Sequence, residues 1–213
     1  MENEKNKIAI FGLGGNSREV LCLIIDFFST KGIDYKSNVC FIEFDEMRQI
    51  DTLMDIPVLQ LSQFDPGEYN VVIGVADPEK RKNIVGHLPS ETTYATIIHP
   101  NVVISKWVEI GAGSVICAGT TLTCNVRIGR HAQLNVHTTI GHDCNIGDFF
   151  TTGPGTNISG SCHFDDLVYF GANASIRQGL KVCKDVTVGM GAVVVKDITE
   201  PGTYIGNPVK KLG

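Results

Sequence analysis

The chain has 213 residues, 43% of them hydrophobic, with 18 Lys and Arg against 23 Asp and Glu. This length can bury enough apolar surface for one large or two small domains without disulfides. A net charge of -5 leaves no cationic surplus to neutralise a nucleic-acid backbone or an anionic membrane, so neither polymer is expected as a partner.

Residues 1–7 are charged and polar and run directly into the apolar stretch 8–11, too brief for a signal-peptide core. No later segment offers the roughly 18 uninterrupted apolar residues of a membrane span. The expected location is the cytoplasm. Seven cysteines, at 22, 40, 117, 124, 144, 162 and 183, form no CxxC pair and read as reduced core fillers.

In chain order, 7–11 reads as a buried strand, followed by the turn Gly12-Leu13-Gly14-Gly15-Asn16 and a helix over 17–28. Strands follow at 38–44 and 71–75, a helix at 78–87 and a short strand at 94–97. Alternating strands and helices predict a parallel, Rossmann-like α/β sheet over residues 1–97. Glycines at a strand-to-helix turn let amides approach a phosphate at the positive end of the helix. The dinucleotide fingerprint is incomplete, because Ser17 stands at the third glycine's place, and a glycine turn without a ligand is the alternative. Glu43, with Asp45 nearby, ends the second strand, where related folds contact a ribose; a solvated strand end is the competing reading.

From Ile98 a large apolar residue recurs at every sixth position to Val194, through Ile104, Ile110, Ile116, Leu122, Ile128, Leu134, Ile140, Ile146, Ile158, Phe164, Phe170, Ile176, Val182 and Val188. Thr152 alone breaks the series. Four places after many of these stands a second, usually small residue, such as Ser114, Thr120, Ala132, Cys144 or Ala174. A period of six fits neither a helix nor simple strand alternation, but suits a short strand plus a corner. Three such faces close a triangular coil, so 98–213 is predicted to be a parallel β-helix and tail in which residues eighteen apart stack at roughly 4.8 Å. Thr152 then lies between Leu134 and Phe170, whose ring can fill the space it leaves.

Among six histidines, His142 occupies a corner with Asp143 beside it. Moving an acyl group from a thioester to an amine or hydroxyl needs a base for the nucleophile's proton, and imidazole titrates in the right range. Gly160 lies eighteen residues further on, so its amide is expected on the same corner as a donor to the thioester oxygen. His131 and His137 read as surface residues, and His87, His99 and His163 as structural ones. A metal site from His142, Cys144, Cys162 and His163 is disfavoured, because both cysteines fall at inward positions.

The hexad run resembles the hexapeptide-repeat acyltransferases, whose coils turn left-handed and whose chains form homotrimers. More narrowly, 135–144, Gly160, 190–198 and Gly206-Asn207-Pro208 resemble the sialic-acid O-acetyltransferase and bacillosamine N-acetyltransferase family across essentially the whole chain. The resemblance implies an acyl-CoA co-substrate, no metal, and His142 as general base assisted by Asp143, with Asn135 lining the same pocket. Coenzyme A is implied between neighbouring subunits, contacted by Gly160 and by backbone around Gly171, Met190 and Gly191. The sugar nucleotide is implied at the turn Gly14, Gly15, Asn16 and Ser17.

Two departures, Thr151 where some members carry histidine and Met190 in place of a small residue before Gly191, leave acyl chain and sugar open. The leading expectation is N-acylation of a UDP- or dTDP-linked 4-amino-deoxysugar. Sugar O-acetylation is its close alternative. A noncatalytic or carbonic-anhydrase-like β-helix, with His137 and His142 as metal ligands, and a nicotinamide-binding first domain are the remaining readings.

Overall fold

The computed structural model describes residues 7–47 and 50–213; the charged amino terminus ahead of Lys7 lies outside them. Strand β1 (Lys7–Phe11) is buried from Ile8 onward, as a central parallel strand covered on both faces must be. It pairs in parallel with β2 (Val39–Glu43) and with β5 (Tyr69–Ile73), placing Ile10 opposite Phe41 on one side and Val72 on the other. Helix α1 (Gly15–Ser29) begins two residues before the expected 17. Helix α2 (Pro78–His87) matches expectation: Pro78 opens it and the Asp77 carboxylate accepts the Lys80 N–H at 2.9 Å.

Two features of this part differ from the sequence reading. A hairpin of β3 (Thr52–Leu53) and β4 (Ile56–Gln60) turns through Met54 and Asp55, both at positive φ, and adds β4 in parallel to β2. The run 94–97 is split. Its start belongs to β6 (Thr93–Tyr94), the edge of the six-stranded sheet ordered β3-β4-β2-β1-β5-β6, and its end opens a new sheet at Ile97–Ile98.

From there the chain winds as a parallel β-helix with three faces. Face one carries strands such as Val115–Ile116, Gln133–Leu134 and Thr151–Thr152; face two Thr121–Leu122, Thr139–Ile140 and Asn157–Ile158; face three Val126–Ile128, Asn145–Ile146 and His163–Phe164. Partners are eighteen residues apart throughout: Leu122 pairs with Ile140, and Ile140 with Ile158. A second rhythm of six sits at the corners, where Asn125, His131, His137, Asp143, Phe149, Ser161 and Leu167 are left-handed (φ 55–63°). Asn, Asp and His tolerate that conformation best, and it costs other L-residues about 1–2 kcal/mol. Each coil offsets this by burying a ring of inward aliphatic side chains, worth about 1.5–3 kcal/mol apiece.

Thr152 is buried without harm to the core. Phe150, Phe164 and Phe170 pack beside it with centroids 5.1–6.2 Å apart, and its hydroxyl accepts the Asn135 N–H at 3.0 Å and meets the Thr138 hydroxyl at 2.7 Å.

The two parts share one core. Val20, Leu21 and Ile24 of α1 pack with Ile97 and Val115 of face one. Arg81 of α2 is 0% exposed and rivets the junction: Nε donates to the His131 carbonyl (2.8 Å), Nη1 to the Val75 (2.7 Å) and Ala76 (3.0 Å) carbonyls, and Nη2 to the Phe149 carbonyl (2.8 Å) and the Thr151 hydroxyl (2.8 Å). His131 is 1% exposed, not a surface residue. The first part covers its corner, and its ring stacks on Phe149 (5.1 Å) and meets the edge of Tyr94 (4.5 Å). Among the described residues no helix is long and apolar enough to cross a membrane.

Candidate active site

The corner between faces two and three brings His142, Asp143 and Gly160 together. Asp143 sits at the left-handed position, which turns its side chain back along the corner. His142 Nδ1 lies 2.7 Å from Asp143 Oδ2; a carboxylate only accepts, so Nδ1 carries a proton and, in the neutral imidazole, Nε2 has the lone pair. The other Asp143 oxygen accepts from Asn125 Nδ2 at 3.0 Å. The bonds from His142 and then Asn125 hold the Asp143 carboxyl below its ordinary range, so it stays anionic and fixes the imidazole. Asn125 was not anticipated, although the same count of eighteen, run backwards from Asp143, points to it.

The His142 side chain is 62% exposed and its ring lies directly over Gly160. A Cβ at 160 would fall 2.6 Å from Nε2 and 2.7 Å from Cε1, so any side chain there would displace the ring. On the corner between faces three and one, two of the equivalent amides are occupied: Arg130 N–H donates to Asp148 and Asp148 N–H to Asp166, both at 2.7 Å. The Gly160 N–H donates to no protein acceptor among the described residues. A base with a free lone pair and an unpaired amide donor therefore lie within one residue's width of each other. Beside them a groove of about 550 Å³ is lined by Asp143, Asn125, Trp107 and Arg127.

Asn135, Gly171, Met190 and Gly191 all fall on a different corner, between faces one and two, and Met190 is 82% exposed there. Asn135 lies at the opposite end of the face-two strand Thr139–Ile140 from His142. Within one chain it lines a pocket with Asn16, Gln133 and Thr151 rather than with His142. His137 shares this corner, apart from His142. No group of three or more His, Cys, Asp or Glu side chains among the described residues is placed to hold a metal ion.

In the first part, Gly14 and Gly15 are exposed at the start of α1. Asn16 reaches across the junction, its Nδ2 donating to Gln133 Oε1 at 3.1 Å, while Gln133 Nε2 donates to the Ile73 carbonyl at 2.6 Å. Ser17 is buried, with its hydroxyl committed to the Gly74 carbonyl at 2.8 Å. A Cβ at Gly74 would meet the Ser17 Cα at 2.7 Å. The close helix-to-strand approach that the fingerprint's third glycine normally allows is therefore supplied from the strand side. Glu43 lines a separate cleft of about 780 Å³ over the carboxyl ends of β1, β2 and β5, with Phe44, Lys80, Asn83 and His87; its Oε1 accepts the Phe44 N–H.

A family model described as the hexapeptide repeat of succinyl-transferase matches residues 101–124 and 166–196. The chain is 30% identical over 181 residues to a GDP-perosamine N-acetyltransferase of Escherichia coli O157:H7, covering 82% of this chain and 80% of that protein. Among solved structures, WeeI from Acinetobacter baumannii AYE superposes with a TM-score of 0.86 at 33% identity, over 97% of this chain and 99% of the other. The acetyltransferase domain of PglB from Neisseria gonorrhoeae FA1090, in complex with acetyl coenzyme A, gives 0.85 at 26% identity over 98% of this chain and all of that one.

Proposed function

Because the chain belongs to the hexapeptide-repeat family of sugar acyltransferases, with their left-handed β-helix, we propose that His142 and Gly160 carry out acyl transfer from acyl-CoA to the amine of a nucleotide-linked amino sugar. The observation that carries this reading is the imidazole held by Asp143 over a glycine whose amide has no other partner.

His142 Nε2 takes a proton from the amine as its nitrogen bonds to the thioester carbon, and Asp143 stabilises the imidazolium that forms. The Gly160 N–H donates to the carbonyl oxygen as it gains negative charge, an interaction stronger in the transition state than with the neutral thioester. When the C–S bond breaks, the imidazolium returns the proton to the departing sulfur. The products are the N-acyl sugar and free coenzyme A, with His142 neutral again.

The distribution of the other site residues supports a homotrimer. The His142 corner of one copy faces the Gly171, Met190 and Gly191 corner of the next, and the pantetheine arm lies between them. The exposed amides of Gly14 and Gly15 at the start of α1, with Asn16 and the Glu43 cleft, hold the nucleotide. The reaction takes place in the cytoplasm, where acyl-CoA is available.

Purified protein is assayed with GDP-, UDP- and dTDP-linked amino sugars against several acyl-CoA donors. Transfer to an amine is expected for one pair, and His142→Ala is expected to lower kcat by about a hundredfold or more, the loss of a general base, with its thermal transition unchanged. Near-wild-type turnover in that variant removes His142 from the role.

A further inference from the structure

Three of the small inward polar residues, unlike Thr138, which bonds to the Asn135 carbonyl and the Thr152 hydroxyl, reach a carbonyl of the coil above. Ser114 Oγ lies 3.3 Å from the Gly129 carbonyl, sharing its hydrogen with the Gly111 carbonyl at 2.8 Å; Thr120 Oγ1 donates to that of Asn135 at 3.3 Å; and Thr156 Oγ1 lies 3.1 Å from that of Gly171 and 2.9 Å from that of Gly153. In each case the carbonyl lies fifteen residues further along, one place after an inward core position. A trans peptide is planar, with its C=O and N–H pointing in opposite directions. Tethering that carbonyl toward the interior therefore aims the following residue's N–H out of the coil.

Cys144 occupies this place at the His142 corner. Its Sγ lies 3.3 Å from the Ser159 carbonyl, and the N–H of that peptide is the one belonging to Gly160. We infer that Cys144 is a positioning residue whose thiol, by tethering the Ser159 carbonyl, fixes the Gly160 N–H in the direction of the developing oxyanion. This rests on the acyl-transfer reading above.

The thiol is suited to the task, since it is 1% exposed and its Sγ lies nearer the Ser159 carbonyl, at 3.3 Å, than the His142 carbonyl, at 3.8 Å. Serine makes the same bond at 3.3 Å from Ser114, so the fold already accepts a hydroxyl in this geometry. It also accepts an aliphatic side chain there, because Val126 stands directly below Cys144 in the same column.

The test is steady-state kinetics on the full chain with Cys144→Ala, Cys144→Val, Cys144→Ser and Ser114→Ala, with a thermal melt for each. The alanine and valine variants are expected to lose kcat by about tenfold, part of the hundredfold or more that follows outright removal of an oxyanion donor. KM for acyl-CoA should stay within about twofold, and the pH profile of kcat should not move, because the base is untouched. Valine preserves the packing if alanine fails to fold. Cys144→Ser should recover kcat to within about twofold of wild type. Ser114→Ala loses the same kind of tether where Asp148 holds the next amide, and should melt lower with unchanged kcat.

Wild-type kcat in both the alanine and valine variants overturns the inference. So does a serine variant as slow as alanine, or a Ser114→Ala variant slowed as much as Cys144→Ala. A wild-type chain that acylates no nucleotide amino sugar overturns the acyl-transfer reading instead, and that result is read before any variant is compared.

Discussion

A Cβ added at Gly160 falls 2.6 Å from His142 Nε2 and 2.9 Å from Cδ2, closer than carbon and nitrogen approach without bonding. Gly160→Ala must therefore push the imidazole off the corner, and the exposed ring can move into solvent at little cost. The variant is expected to keep its melting temperature within a few degrees while losing activity by about the hundredfold expected for His142→Ala, which paired melts and kinetics will show. At this scale the site was largely legible in sequence. One arithmetic rule, addition of eighteen, places 142 and 160 together and extends to Asn125. The rule does not reach Ser17 or Gly74, because their contact joins the start of a helix to the end of a strand 57 residues away, and no period links them.

α2 carries the run Lys80-Arg81-Lys82, which in sequence resembles a solvated basic helix face. In the structure the middle residue is the best-satisfied cation among the described residues, and burial lowers its pKa only to about 9, so it stays charged at neutral pH. Arg81→Met would orphan the carbonyls of Val75, His131 and Phe149, each costing about 1–3 kcal/mol if left dry, while that of Ala76 keeps the Thr151 hydroxyl at 3.0 Å. A loss of at least about 3 kcal/mol in chemical denaturation is expected, and Arg81→Lys should recover little of it, since one ammonium cannot reach acceptors spread around a planar fork.

The neighbouring His131 makes a prediction of opposite character. Neither ring nitrogen has a partner, and burial, with the charges of Arg130 and Arg81, lowers its pKa from 6.5 to about 4. Between those values the unfolded chain binds a proton that the folded chain does not. The stability contributed by a neutral His131 is therefore complete above pH 6.5 and falls as pH drops toward 4, by about 3 kcal/mol in all. His131→Phe should flatten that slope in melts run from pH 7 to 4.5; an unchanged slope would assign the acid sensitivity elsewhere. Both residues escaped the sequence reading because the contact lies between two differently built parts: the β-helix acceptors of Arg81 are 50 or more positions away, and Tyr94, which meets the His131 ring, comes from the first part. The hairpin β3–β4 escaped for a local reason: its strands are short and Pro57 interrupts the apolar pattern.

For the whole molecule, the two corners that the proposed function assigns to one reaction lie on separate edges of the same prism, so on that proposal a lone chain presents two half-sites. Mixing His142→Ala subunits with subunits blocked at the other corner, for example by Met190→Trp at that exposed position, and refolding them together should restore a measurable fraction of activity that neither variant has alone. Failure to complement, in trimers shown by mass to be mixed, would place the complete site within one chain. The triangular architecture itself was readable from sequence because every corner uses the same number of residues and packs the same kind of side chain inward. How copies meet was not, because outward residues answer to a partner rather than to a repeat.

The run from Ile98 to Val194 carries no insertion, and this constrains what the scaffold can become. Six residues added within a coil would turn everything downstream by a third of a revolution, and a number not divisible by six would put the inward rhythm out of phase unless it looped out at a corner. Only a full circuit of eighteen keeps each edge in line. Reach along the edge therefore grows in fixed steps of one strand spacing, so a lineage with this architecture adapts to larger or smaller reactants by exchanging side chains along a ruler whose marks cannot slide.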